Sequence, residues 1–387
     1  MKILFVTPSF YPAFHYGGPI YSTFELTKAI KKQGIDIKVI TTNANGKERL
    51  DIKTEVFNNL NNNLPVKYYK SIDSRGTSLS MLWNLKDEIK QSDIVYLISI
   101  FSAPTPFVVG LCKKLDKPLI ISPRGQLGRW CLNQGNPFKK LWLSLFIKPF
   151  IGSLNWHLTS QDEERTVQAV YPSAKTFVIA NGIDSSILEI KEQRKNKLFY
   201  TKYSENVNEN SKIIIAMGRL QKVKGFDILI EAVKKVQEQV QNVFLFIAGE
   251  DFGEKQNLLN FITSNHLSEK VFLISHIAGE EKINFLKNAD VFALPSHHEN
   301  FGIVYAEALA AGTPVIASKN TPWQDVEKFK CGKWVENTQE KFAEAIIEIL
   351  NSDRIQMGKN GIKYIEDNFS WDKIARSFIH QINMILN

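Results

Sequence analysis

The stretch VFALPSHHENFGIVYAEALAAGTPVIA, residues 291–317, contains a strand, a turn, a helix and a second strand in succession. The β-branched and apolar run VFAL (291–294) ends at Pro295-Ser296, and Gly302 permits a tight turn. The run that follows predicts a helix through Glu307 to about Ala311, stopped by Gly312 and Pro314, before PVIA (314–317) resumes a strand. Strands uninterrupted by polar residues and joined through a helix belong to a parallel sheet covered on both faces.

The same alternation recurs along the chain. Strand candidates in the first half are 3–6, 37–41, 94–98, 119–122 and 176–180; in the second half they are 213–217, 243–248, 271–274, 291–294 and 314–317. The expected fold class is α/β, with two doubly wound, Rossmann-like domains in tandem. A length of 387 residues suits two domains better than one core. The charged, Asn-rich stretch 191–211 is the expected boundary, and FNNLNNNLP (57–65) reads as a loop. The domains are expected at 1–190 and 205–369. At the C-terminus, Ile374, Phe378, Ile382 and Ile385 recur on one helical face, so the chain is expected to close on a docked helix over about 370–387.

Composition narrows the class. A hydrophobic share of 44% with 23% charged residues fits a globular protein. Cys112, Cys131 and Cys331 are widely spaced and odd in number, which argues against a disulfide framework or a thiolate metal site. The opening MKILFVTPSFYP is too short in apolar residues for a signal-peptide core, and no run approaches the roughly 18 apolar residues of a membrane span, so a cytoplasmic protein is expected. Residues 1–188 hold 23 Lys and Arg against 14 Asp and Glu, and the remainder 25 against 26. The excess positive charge therefore lies in the first half, where it suits nucleic acid, an anionic membrane, a phosphorylated substrate or plain solvation.

In parallel α/β sheets ligands lie beyond the C-terminal strand ends, so the turns there are the places to search. After VFAL, the N–H groups of Gly302, Ile303 and Val304 would open a helix and present its positive end to a diphosphate. Glu307 follows on much the same face as Val304; its rise of about 7.5 Å from Gly302 matches the step from diphosphate to ribose. Glu299, before the helix, would reach the other way. After strand 213–217, Arg219 and Lys224-Gly225 offer a bidentate and a point-charge cation, though surface basic residues are common in such loops. Gly17-Gly18 precede Pro19 at a helix start, where the backbone can approach a bulky or anionic ligand or simply turn. Arg124-Gly125 end another strand, where the arginine would stand as an open cation in an acceptor-side or phosphate-side wall and counts among the candidate catalytic residues. The segment 138–151 alternates Trp142, Phe146 and Phe150 with Lys139, Lys140 and Lys148, which fits a membrane-surface helix and a buried helix equally. No G-x-G-x-x-G occurs, which counts against a nicotinamide or flavin dinucleotide.

Taken together, Glu299-x7-Glu307 around Phe301-Gly302, with EALAAGTPVI behind it, GRLQKVKG (218–225), GGP (17–19) and ANGID (180–184), resembles the retaining glycosyltransferases of family 4, which have the GT-B fold. That resemblance covers nearly the whole chain. It implies two Rossmann-like domains facing across a cleft, with the last helix returning to the first. It also implies that Glu307 binds the ribose hydroxyls, Glu299 the transferred sugar, and Arg219 with Lys224 the diphosphate, helped by the amides of Ile303 and Val304. Gly18, with Gly17 beside it, would line the same cleft. One departure stands out: relatives commonly carry His-Gly where this chain has Arg124-Gly125.

The implied reaction moves a sugar, with retention, from a UDP- or GDP-linked donor to a glycan or lipid-linked acceptor in surface polysaccharide or glycolipid synthesis. Fixed cations would stabilise the departing diphosphate. The sequence has no D-x-D pair, so neither a metal nor a cofactor is expected. The rival readings are a sugar-nucleotide epimerase on the same fold and a basic nucleic-acid-binding protein. Against the latter, no nucleic-acid motif appears. If the acceptor is lipid-linked, Trp142, Phe146 and Phe150 on the basic first domain would dip into the membrane, making the protein peripheral at its cytoplasmic face.

Overall fold

The computed structural model describes residues 1–60, 63–128, 132, 138–183, 187 and 195–387. The chain forms two compact units, residues 1–182 with 371–387 and residues 183–370.

The first unit contains an eight-stranded sheet. Its members are β1 (Lys2–Val6), β2 (Asp36–Thr42), β5 (Phe57–Leu60), β6 (Leu64–Tyr69), β7 (Ile94–Ile98), β8 (Leu119–Ser122), β9 (Leu154–Leu158) and β10 (Lys175–Val178). A two-residue ladder of β3 (Ala44–Asn45) and β4 (Glu48–Arg49) stands apart. The order is β10-β9-β8-β7-β1-β2-β6-β5. All neighbours run parallel except the edge hairpin β5–β6, so the tract 57–65, read as a loop, is largely strand instead. Asn58 and Asn59 sit on an edge strand, Asn63 lies in the turn before β6, and Asn61 and Asn62 lie outside the described residues.

The helix Trp371–Leu386 packs in this unit through Ile374, Phe378 and Ile382, as its spacing predicts. Phe378 meets Tyr96, His157 and Phe177 edge-on or tilted. Gly182 allows this docking, because a Cβ there would stand 2.3 Å from the Trp371 ring.

The second unit holds β11 (Lys212–Met217), β12 (Val243–Ala248), β13 (Val271–Ile274), β14 (Val291–Leu294), β15 (Val315–Ser318) and β16 (Gly332–Val335). They run parallel in the order β13-β12-β11-β14-β15-β16, the doubly wound order that reverses direction between its first and fourth strands. The polar stretch expected as the boundary belongs to this unit where it is described. Within it, Tyr200 is fully buried, stacks on Phe246 and donates its hydroxyl proton to the Phe285 carbonyl. Lys197 pairs with buried Asp290. Its polar composition conceals a buried aromatic anchor and ion pairs from Lys197 to Asp290 and from Lys202 to Glu281, and none of these leaves a periodic signal. Cys131 and Asp184 lie outside the described residues.

Candidate functional site

The switch point of the second sheet lies between β11 and β14, and the loops leaving both strands carry the residues singled out above. Gly225 makes their approach possible: it is left-handed (φ 66°), and a Cβ on it would lie 2.2 Å from the Pro295 carbonyl oxygen. The His297 amide donates to Val223 O at 2.8 Å, tying the two loops together.

Across this junction Lys224 Nζ reaches Glu299 Oε1 at 2.5 Å, and the Ser296 hydroxyl donates to the same oxygen at 2.8 Å. The stem of Lys224 runs along Gly218, where an added Cβ would meet its Cε at 3.2 Å. Lys224 and Glu299, both largely buried, are therefore held in one geometry. A lysine has three donors, and Glu299 takes one of them.

Gly302 is left-handed (φ 76°, ψ 61°) and turns the chain into the helix Ile303–Ala310. The turn is pinned by the Trp323 indole N–H, which donates to Phe301 O at 2.6 Å, and by Tyr305 OH, which donates to Leu294 O at 2.6 Å. The first-turn amides of Ile303 and Val304 have no acceptor within their own helix. Glu307 is 9% exposed and accepts from Lys282 Nζ at 2.5 Å. Lys282 lies on the helix Gly279–Lys287 that follows β13. It was missed from sequence because a lysine on an amphipathic helix announces nothing; only the fold brings it to Glu307.

Arg219 is exposed, its guanidinium carbon 5.0 Å from the Phe252 ring centroid. Beside it a cavity of about 450 Å³ opens at the C-terminal ends of β11, β12 and β13, lined by Leu220, Gly249, Glu250, Asp251, Lys255 and His276 among others. The polar cavity, the Lys224–Glu299 pair and the helix start thus lie at the C-terminal edge of the same sheet.

In the first unit, Gly17 (φ 74°) caps the helix Gly18–Lys32 with Pro19 in its first turn. Arg124 is left-handed too (φ 52°), and its side chain is engaged: Nη1 donates to Asn181 Oδ1 at 2.7 Å and Nη2 to Tyr96 OH at 3.3 Å. Its buried Nε has no partner among the described residues. Buried Glu163 fixes the turn by accepting from the Gly125 amide (2.6 Å) and the Thr159 amide (2.8 Å). Tyr96 OH lies 2.6 Å from His157 Nδ1, while Nε2 faces the Ile179 carbonyl at 2.9 Å. The carbonyl requires a proton on Nε2, so Tyr96 donates to Nδ1. Burial, reinforced by the Arg124 charge, lowers the imidazole pKa to about 3.

The aromatic residues expected at a membrane surface are partly covered by the protein itself. Trp142, Phe146 and Phe150 are half-buried. The Trp142 indole N–H donates to Ile100 O at 2.8 Å, its ring packs edge-on against Phe146, and Phe150 packs on the core. Leu141 and Leu145, one turn apart, are the more exposed, at 52% and 54%. The Trp142 ring is held where its indole finds a backbone acceptor. Among the described residues no helix is long and apolar enough to cross a membrane.

The profile of the glycosyl transferases group 1 matches residues 201–364, and that of glycosyltransferase family 4 matches residues 16–187. An uncharacterized glycosyltransferase of Methanocaldococcus jannaschii is 31% identical over 54% of this chain and 54% of its own, so the chain matches about half the length of that relative. An O-antigen biosynthesis glycosyltransferase of Escherichia coli is 24% identical over 81% of this chain and 86% of its own. Among solved structures, Anabaena HepE in complex with UDP superposes with a TM-score of 0.76 at 18% identity, covering 99% of this chain and all of that one.

Proposed function

The chain belongs to the group 1, family 4 glycosyltransferases of GT-B fold, and on that premise we propose that it transfers a sugar, with retention, from a UDP- or GDP-linked donor to a hydroxyl of a glycan or lipid-linked acceptor. The observation that carries this reading is the pairing of Lys224 with Glu299 at the mouth of a helix whose first turns lead to Glu307.

In this mechanism Glu307 accepts hydrogen bonds from the ribose hydroxyls, with Lys282 holding its carboxylate in place. The amides of Ile303 and Val304, together with Lys224 and Arg219, meet the diphosphate, whose negative charge grows as the sugar departs. These fixed cations take the place of a divalent ion, so the reaction proceeds without metal. Glu299 spans two roles, accepting from sugar hydroxyls on one side and orienting Lys224 on the other. Gly17 and Gly18 leave room for the ligand at a helix start in the first unit, where Arg124 positions Asn181. The E. coli relative, named for O-antigen biosynthesis, supports a glycan acceptor. A lipid-linked acceptor calls for a peripheral position at the cytoplasmic membrane face, with Leu141, Leu145, Lys140 and Lys148 as the contact.

Thermal shift against UDP-, GDP- and ADP-sugars tests the donor site, since a ligand that binds only the folded state raises the Tm. Release of free nucleoside diphosphate in the presence of an acceptor separates transfer from epimerisation.

A further inference from the structure

The first sheet reverses direction between β1 and β7, which places its ligand crevice at the loop leaving β1. That loop and the helix after it carry an aromatic ladder running from the core to the surface. Phe10 and Phe24 are buried; Tyr11 stacks on Phe24 with centroids 4.1 Å apart and meets Phe14 edge-on at 5.4 Å. Phe14 in turn stacks on Tyr21 at 5.0 Å and 20°. The outer pair is 45% and 41% exposed, so part of each ring reaches the surface.

Polar groups are stitched around this surface. Tyr16 OH donates to Ser74 O at 2.5 Å and accepts from the Gly46 amide at 3.0 Å. The His15 amide donates to Asn45 Oδ1 at 3.2 Å, and the His15 ring lies so close over Gly46 that a Cβ there would stand 2.7 Å from Cδ2. Three loops are thereby locked into one rim, and the ladder fixes the rings before any ligand arrives, which reduces the ordering cost of binding.

We propose that Phe14 and Tyr21 form the subsite for a sugar ring of the acceptor. This rests on the glycosyltransferase reading. A pyranose has one face of C–H groups and an edge of hydroxyls. The electron-rich faces of stacked aromatics attract the former, and a rim such as His15 and Asn45 suits the latter. The outward ring face and edges of the stacked pair, with their polar border, select for that amphipathic shape at the switch point of the first sheet.

Ligand-observed NMR on the full chain, using the methyl glycosides of glucose, galactose, mannose and N-acetylglucosamine, tests this. At least one glycoside should contact the wild type, with contact weakened by up to about tenfold in Phe14→Ala and in Tyr21→Ala. Phe14→Tyr should retain it. Stabilisation by nucleoside diphosphate should be the same in all four proteins, which also reports that the variants fold. Absence of glycoside contact in the wild type, or contact unchanged in both alanine variants, overturns the subsite. Failure of any nucleotide to stabilise the wild type would instead overturn the donor-site reading.

Discussion

Lys224 Nζ and Glu299 Oε1 are 2.5 Å apart, so the cation assigned to the diphosphate and the carboxylate assigned to the sugar are each other's partner. Removing either one leaves the other misplaced in a largely buried setting. Lys224→Ala and Glu299→Ala should each lower turnover by roughly 100- to 1000-fold. The double variant should be little worse than the poorer single one, because residues acting as a unit are not additive. Losses that multiply in the double variant would show that the two act separately.

The proposed metal independence follows from the same cations. Activity should persist in excess EDTA while Arg219→Ala costs roughly 100-fold in rate. Loss of activity in EDTA with recovery on adding magnesium or manganese would contradict it.

How much of this was legible beforehand varies by residue. The strand end and helix start around Glu299, Gly302 and Glu307 were readable because they and their spacing are local properties. Their partners were not: Lys282 reaches Glu307 from another helix, and Ser296 reads only as a strand-ending residue. The continuous apolar strands were found within a residue or two. However, β9 (LNWHL) was missed because Asn155 and His157 interrupt it, and His157 is buried only because Tyr96 and the Ile179 carbonyl satisfy it. Arg124 looked like an open cation; in the fold it is bound to Asn181 and Tyr96.

His157 gives the fold an acid limit. In the unfolded chain an imidazole binds its proton near pH 6.5, whereas here it stays neutral down to about 3. As pH falls from 6.5 the unfolded state takes up a proton that the native state refuses. Stability is therefore full above 6.5 and is lost toward 3 by up to about 1.4 kcal/mol per pH unit. Thermal melts across pH 3–7 should show this slope in the wild type and a shallower one in His157→Gln. Arg124→Ala should raise the imidazole pKa, read by NMR. An unchanged value would mean that the arginine charge does not reach it.

Membrane contact through Leu141 and Leu145 predicts sedimentation with anionic vesicles at low salt and release at high salt. Leu141→Asp with Leu145→Asp should abolish it at unchanged Tm, whereas Trp142→Ala should lower the Tm through its lost contact with Ile100. Equal binding to neutral vesicles, or none to anionic ones, would remove this surface from the account.

The donor site itself is tested most directly by calorimetric titration of UDP and GDP, in EDTA, into the wild type and Glu307→Ala. One nucleotide should bind the wild type, and its affinity should fall in the variant by about 1.5–3 kcal/mol, the worth of hydrogen bonds to a charged group. Equal affinity in the two proteins, or binding of neither nucleotide to the wild type, would contradict the assignment.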